Sequence, residues 1–354
     1  MGLKILHSAD WHLDSPFAGF DDSQRALLKQ EQQSIPGKTA QLCRREKCDL
    51  MLLAGDIFDG EPARETVEAL KKALSECGAR VFITPGKHDF CAPGSVWLEE
   101  NWPENVYVFT GGLEAVTIPG LNCRVYGAGY QSMDSAPLLE NFRAEGSEKY
   151  CIAVLHGDPT RKDSPYCPIT AQQVRDSGLQ YLALGHIHKA GAVHAGGTLC
   201  AWPGCPMGRG WDETGEKGVC IVTMEDSASL RAVALDTIRF HELKADISSG
   251  AEAALEKILP PAGSRDFFRV TLTGSGEADI AKLTRRFSAV PNLTLRDETL
   301  PPLDIWGDTG ADTLEGVYFR LLREAMEADP DSREEIQLAA EISRKLLEGR
   351  EVTL

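Results

Sequence analysis

Apolar residues in this chain come in short unbroken runs that stop abruptly at His or Asp. Leu50-Met51-Leu52-Leu53-Ala54 runs directly into Gly55-Asp56-Ile57-Phe58-Asp59. An uninterrupted run bounded by turn residues fits a strand buried on both faces of an α/β sheet. Four further segments repeat the layout: Ile5-Leu6-His7-Ser8-Ala9-Asp10-Trp11-His12, Val81-Phe82-Ile83-Thr84-Pro85-Gly86-Lys87-His88-Asp89, Ile152-Ala153-Val154-Leu155-His156-Gly157 and Tyr181-Leu182-Ala183-Leu184-Gly185-His186-Ile187-His188. Between the first three strands, residues 23–33, 39–47 and 61–77 carry helical patterns. Pro36-Gly37 is expected to interrupt the first pair, while Pro62 falls near a helix start, where proline is tolerated. The first ninety or so residues thus alternate strand and helix. That alternation predicts parallel strands joined by right-handed crossovers.

Beyond residue 105 the runs shorten. Residues 106–109, 115–118 and 124–127 alternate between Gly-rich turns and predict a second, more antiparallel sheet. A helix is expected at 136–143, a strand at 151–155, a helix at 170–177, a strand at 181–184, and short strands through 191–223. The first domain is expected to span 1–239. Residues 240–300 read strand, helix, strand, helix, strand, a small α+β domain. Leu300-Pro301-Pro302 reads as a linker to a helical tail over 301–354. Its two helices are expected to open at capping boxes, Asp312-x-x-Glu315 and Ser332-x-x-Glu335. In the first of them Leu314, Val317, Tyr318, Leu321, Ala325 and Met326 share a face. That face either packs on its own domain or docks another protein.

The net charge of −16, from 37 basic and 53 acidic residues, excludes a protein that coats nucleic acid through bulk charge. It leaves room for a nuclease that holds a phosphodiester through metals and a local basic strip. No apolar run approaches the roughly 20 residues that span a bilayer, and the N-terminus lacks the basic and apolar regions of a signal peptide. None of the ten cysteines forms Cys-x-x-Cys, and the Cys43/Cys48 and Cys200/Cys205 gaps do not suit a zinc ribbon. Reduced thiols in a cytoplasmic protein without membrane contact are expected.

Five of the eight histidines, His12, His88, His156, His186 and His188, lie in the strand-end motifs together with Asp10 and Asp56. A sheet edge of this kind is where open α/β proteins place their ligands. Mixed carboxylate and imidazole donors without thiolate suit Mn²⁺ or another divalent transition ion. Asp10 and His12, two apart on one loop, can reach a single ion, and Asp56 can bridge two. His7, His194 and His241 fall outside the motifs and are read as structural.

The ordered set Asp10-x-His12, Gly55-Asp56-x-x-Asp59, Gly86-Lys87-His88-Asp89, His156-Gly157 and Gly185-His186-x-His188 resembles the calcineurin-like metallophosphoesterases over about residues 1–240. Within that family the motifs look like the DNA-repair exonuclease branch, SbcD-like and most similar to the bacterial YhaO group. The resemblance implies a four-layer α/β/β/α sandwich followed by a small α+β capping domain and a helical tail for partner docking. It implies that Asp10, His12, Asp56 and His188 hold a first ion, and that Asp56, His156 and His186 hold a second. His88 would be the acid or transition-state stabiliser near the leaving oxygen, with Asp89 orienting its ring. Two ions sharing a carboxylate acidify a water and clamp phosphoryl oxygens for in-line attack. DNA and an SMC-like ATPase subunit are the implied partners, with homodimerisation.

One position departs from the family. The family has a metal-ligating Asn where this chain has Lys87, and an ammonium offers no lone pair. Lys87 can replace the second metal as a fixed cation, swing away from a weak second site, or mark a chain that binds without catalysing. An intact first site beside a weakened or vacant second one is expected, with hydrolysis retained. Arg161, Lys162, Lys189 and Arg209 are candidate phosphate contacts near the metal edge. The resulting reading is a metal-dependent phosphodiesterase, a DNA exonuclease subunit. Its alternatives are a weakened or inactive DNA- and partner-binding subunit and a small-substrate phosphatase.

Overall fold

The computed structural model describes residues 2–235, 237–301, 303–350 and 352. The chain divides into two compact units, Met1–His241 and Glu242–Leu354. The first contains β1 (Leu3–Ser8), α1 (Asp22–Gln33), α2 (Ile35–Glu46), β2 (Leu50–Leu53), α3 (Arg64–Ser75), β3 (Arg80–Ile83), α4 (Val96–Glu99) and β4 (Val106–Val108). It continues with β5 (Glu114–Ile118), β6 (Cys123–Gly127), β7 (Tyr150–His156), α5 (Ala171–Asp176), β8 (Tyr181–Gly185), β9 (Gly191–Ala195), β10 (Thr198–Trp202), β11 (Gly218–Met224) and β12 (Ala228–Ala234).

Two six-stranded sheets result, ordered β12-β11-β1-β2-β3-β4 and β5-β6-β7-β8-β10-β9. In the first, β1 to β4 run parallel, and β11 and β12 extend the edge antiparallel. Alternation along the strands sends residues to two different cores. Leu3, Ile5, Leu50, Leu52 and Phe82 meet Val125, Ile152, Val154, Tyr181 and Ala183 between the sheets. Leu6, Met51, Leu53, Val81 and Ile83 have the opposite parity and are equally buried, as are Leu28, Ile35, Leu42, Leu70 and Leu74 of α1 to α3. On the far side of the second sheet, Ala153, Leu155, Leu182 and Leu184 pack with Val174 of α5. The unit is a helix/sheet/sheet/helix sandwich, and buried faces on both sides explain the unbroken apolar runs.

Several sequence expectations are corrected. Residues 106–108 do not join the second sheet; β4 is the edge of the first, parallel to β3. The second sheet is parallel through β6-β7-β8-β10 and antiparallel only at its flanks. Pro36 breaks no helix. It lies in the first turn of α2, where its missing N–H has no partner to lose, and the break falls at Ser34. Residues 138–141 form a turn, with Asn141 left-handed, where the pattern predicts a helix. By contrast α5 carries a complete capping box between Thr170 and Gln173.

The second unit begins within β13 (Phe240–Asp246) and holds α6 (Ala251–Ile258), β14 (Phe267–Thr273), α7 (Ile280–Arg286) and β15 (Leu293–Asp297), then α8 (Leu314–Ala328) and α9 (Arg333–Leu347). The sheet order is β13-β14-β15, with Val270, Leu272, Leu255 and Leu283 in its core. Of the expected linker, Pro302 lies outside the described residues. The tail caps differ from the sequence reading: Thr313, not Asp312, caps α8, and Ser332 makes no side-chain cap for α9. The expected apolar face of α8 is largely turned outward, with Leu314 89% and Leu321 57% exposed. Phe319 is the buried anchor instead, covered by the Arg344 guanidinium 4.0 Å above its ring. Among the described residues no helix is long and apolar enough to cross a membrane.

Candidate metal centre

The loops that leave β1 and β2 continue the parallel ladder past the strands. Asp10 N–H donates to the Gly55 carbonyl at 3.0 Å, His12 N–H to Asp56 at 2.9 Å, and Leu13 N–H to Ile57 at 2.8 Å. This zipper brings Asp10, His12 and Asp56 to one point. It also bends the chain, because Asp10, His12 and Asp56 all take positive φ, a costly choice for residues with a Cβ. Two glycines make the close approach possible. A Cβ on Gly55, itself left-handed, would strike the His156 ring, and one on Gly86 would strike the Asp56 carboxylate.

Three imidazoles meet these carboxylates in the same way. His12 Nδ1 faces Asp59 Oδ1 at 3.4 Å, His188 Nδ1 contacts Glu213 Oε1 at 2.6 Å, and His156 Nδ1 donates to the Ala54 carbonyl at 2.9 Å. Each ring is therefore held through Nδ1, so that Nε2 is the nitrogen turned to the cluster, the arrangement that acceptors behind metal-binding histidines impose. The two free nitrogens of His12 and His188 stand 3.3 Å apart. His156 Nε2 and Asp56 Oδ2 face each other at 3.3 Å, both fully buried and both without a hydrogen bond. Buried polar atoms left unpaired cost stability unless a ligand satisfies them.

Three groups of donors lie close enough to hold one ion: Asp10, His12 and His188; His12, Asp56 and His88; and Asp10, Asp56 and His156. With this donor set the residues fit a divalent ion. The family sequence model described as calcineurin-like phosphoesterase matches residues 3–190, more than half of the chain. This protein belongs to that family. Members of the calcineurin-like phosphoesterase family bind divalent metals, in keeping with the clusters.

An uncharacterized metallophosphoesterase, YhaO of Bacillus subtilis, is 34% identical over 239 residues, 62% of this chain and 57% of that protein. SbcD, one subunit of the Bacillus subtilis nuclease SbcCD, is 25% identical over 264 residues, 62% of this chain and 66% of that protein. The chain thus spans less than two thirds of either curated relative. A crystal structure of a dimetal phosphatase from Danio rerio is 13% identical, covering 66% of this chain and 97% of that one at a TM-score of 0.45.

His186, expected at the second site, belongs to none of the three donor groups. Its backbone N–H donates to both Asp10 oxygens, at 3.0 and 3.1 Å, which fixes Asp10 from the far sheet. Its ring is differently placed: Nδ1 is buried without a partner, and Nε2 reaches Asp158 Oδ2 only at 3.9 Å. Lys87, at the departing position, sits 4.7 Å above the Tyr166 ring, and that ring lies 5.0 Å from His186.

Asp89 does not orient His88. Its carboxylate accepts from the backbone N–H groups of Ile57, Phe58 and Gly86 at 2.8, 3.2 and 2.7 Å, tying the β3 loop to the β2 loop. The ring partner is Asp59, 3.2 Å from His88 Nδ1. A carboxylate one residue after His88 in sequence points away from it because the loop turns between them. Arg209, expected on phosphate, spends its guanidinium on Glu213 at 2.9 Å, the same carboxylate that takes the His188 Nδ1 proton. Arg161 and Lys162 are exposed, Arg161 beside Asp163 at 3.6 Å, and Lys189 is exposed next to His188. His7 is buried between the sheets on the Tyr181 hydroxyl and the Leu184 carbonyl, while His194 is exposed.

The charges follow from burial against pairing. Burial pushes the Asp56 carboxyl up, but His156 and His12 outweigh it and hold it below the usual carboxylate range. Burial likewise opposes a charged His156, yet Asp56 raises the ring to about 9. Asp10 and His12 shift the other way, each toward its neutral form through burial. Burial, His156 and Lys87 push His186 down to about 3. Asp59 raises His88, the one half-open imidazole of the group. Asp59, Glu213, Asp158 and Tyr166 have no role in the sequence reading. Asp59 at least shares the Gly55-Asp56-x-x-Asp59 motif, but Glu213 lies 25 residues from the His188 it holds.

Proposed function

We propose that this phosphoesterase-family protein hydrolyses phosphodiesters with the help of a divalent metal, and that its substrate is DNA. The observation that carries the reading is the convergence of three Nδ1-anchored imidazoles on two buried carboxylates. Asp10, His12, Asp56, His156 and His188 would hold a divalent ion there, which would supply Lewis acidity toward a phosphoryl oxygen and an attacking water. Asp59 and Glu213 keep the rings aimed. His88, half-exposed and raised by Asp59, carries a proton at the mouth of the site for the leaving oxygen.

For the finer role we read a nuclease subunit of a reduced cytoplasmic compartment, working with an SMC-like ATPase and as a homodimer, with Mn²⁺ as the ion. The likeness to a protein named as part of a nuclease supports it, as do ten free, buried cysteines. Residues 240–300 would cap the DNA, and the tail would dock the partner through Leu314, Tyr318 and Leu321, which stand exposed on α8. The discriminating experiment compares bis-p-nitrophenyl phosphate with p-nitrophenyl phosphate under Mn²⁺, then linear DNA. Diester turnover that a chelator abolishes supports the reading, and monoester preference points to a small-substrate phosphatase. Lys87 is the residue behind the non-catalytic alternative, which metal binding without turnover of either ester would select.

A further inference from the structure

We infer that Lys87 occupies the role of a second cation, so that the centre works with one metal ion and one fixed ammonium that holds a phosphoryl oxygen. The inference rests on the metal-centre reading above. Three separate features of the structure point to it. First, among the described residues Lys87 has no carboxylate in ion-pair range; its ammonium lies on the face of Tyr166, 4.7 Å from the ring centre. A half-buried cation beside an acidic cluster, held by an aromatic face and not by an acid, keeps its donors free for an incoming anion. Second, the Tyr166 ring that holds the ammonium also adjoins the His186 ring, at 5.0 Å between centroids, so lysine and imidazole share one aromatic neighbour. Third, His186 is the one expected ligand imidazole left out of every donor group, with Nδ1 unpartnered and no acceptor to aim its ring.

Charge decides between the two occupants. Asp10 and Asp56 are the carboxylates of the donor groups, and the charge of one divalent ion equals that of the two together. The ammonium adds a positive charge that no carboxylate pairs among the described residues, and a phosphodiester brings a single negative one. A second divalent ion would face that ammonium at short range in a buried site, weakening its binding on the order of a hundredfold or more. Lysine gives it no ligand in return.

The test is calorimetric titration of the metal-free protein with Mn²⁺, checked by elemental analysis, for the parent, Lys87→Asn and Lys87→Met. The parent should bind one ion tightly. Lys87→Asn, which removes the charge and adds an amide oxygen, should bind two. Lys87→Met, which removes only the charge, should bind one tightly and a second weakly. Two tight ions in the parent would overturn the inference and leave the metal centre standing; no ion in the parent would overturn both. One ion in all three proteins would also overturn it, by clearing Lys87 as the cause. Inorganic phosphate binding to the one-ion protein should weaken about tenfold in Lys87→Met, or 1.4 kcal/mol; unchanged binding would refute the phosphate role.

Discussion

The two halves of the centre are built from the same residue types and end up with different properties. Around Asp10, His12 and His188, each imidazole has an acceptor behind Nδ1, and each Nε2 faces the cluster. Around His186, the ring has no acceptor behind it, Asp158 is 3.9 Å off, and Lys87 brings positive charge nearby. Ligand residues alone do not make a metal site. A ring must be held in its productive tautomer and direction, and the local charge must welcome a cation.

The sharpest way to break the comparison is Asp56→Asn. Asp56 Oδ1 accepts from the His88 N–H at 2.9 Å, and Oδ2 is the unpaired atom facing His156. Loss of that charge should abolish tight Mn²⁺ binding and lower diester hydrolysis by about a thousandfold or more, read by calorimetry and initial rates. Next come the ring anchors. Glu213→Gln and Asp59→Asn should each cost about 10–100-fold in metal affinity. Asp158→Asn, the corresponding change behind His186, should cost less than about threefold; an equal loss at all three positions would erase the distinction between the halves.

A third prediction uses a histidine that is not a ligand. Both nitrogens of His7 are engaged, and burial pushes it down to about 3. Its folded value lies below the unfolded 6.5, so the unfolded chain takes up the proton first. The stability it contributes is complete above pH 6.5 and is lost as pH falls from there toward 3. Urea denaturation between pH 7 and 5 should show a slope of up to about 1.4 kcal/mol per pH unit from this group. His7→Gln should flatten the slope; an unaltered slope would assign acid sensitivity elsewhere. The smallest effect is expected at Tyr166→Leu. Removing the ring beneath Lys87 should weaken phosphate binding only a few-fold, in line with about 0.5–1 kcal/mol for a cation–π contact.

Much of the fold was legible because buried parallel strands must be apolar on both faces, and that pattern survives without any partner in view. Leu50–Leu53 and Tyr181–Gly185 are such strands. Strands with weaker patterns were harder to place. Nothing in Val106-Tyr107-Val108 says which sheet its edge will join, and β3 recruits it through pairings such as Phe82 with Tyr107. Helical periodicity in α8 is real, but it points to the face that stays exposed, because Arg344 of α9 takes the opposite side over Phe319.

The sequence by itself determined which donors exist and in what order they leave the strands: Asp10, His12, Asp56, His88, His156, His186 and His188. It also showed the Lys87 departure, since a change of donor to ammonium is visible in the residue type alone. Only the tertiary structure decided which donors converge, that Asp59 rather than Asp89 serves His88, and that Glu213 serves His188. The reason is physical. Residue types are set by local chemistry, whereas a side chain's partner depends on how loops from separate strands turn, here through the ladder that ties Asp10 to Gly55 and His12 to Asp56.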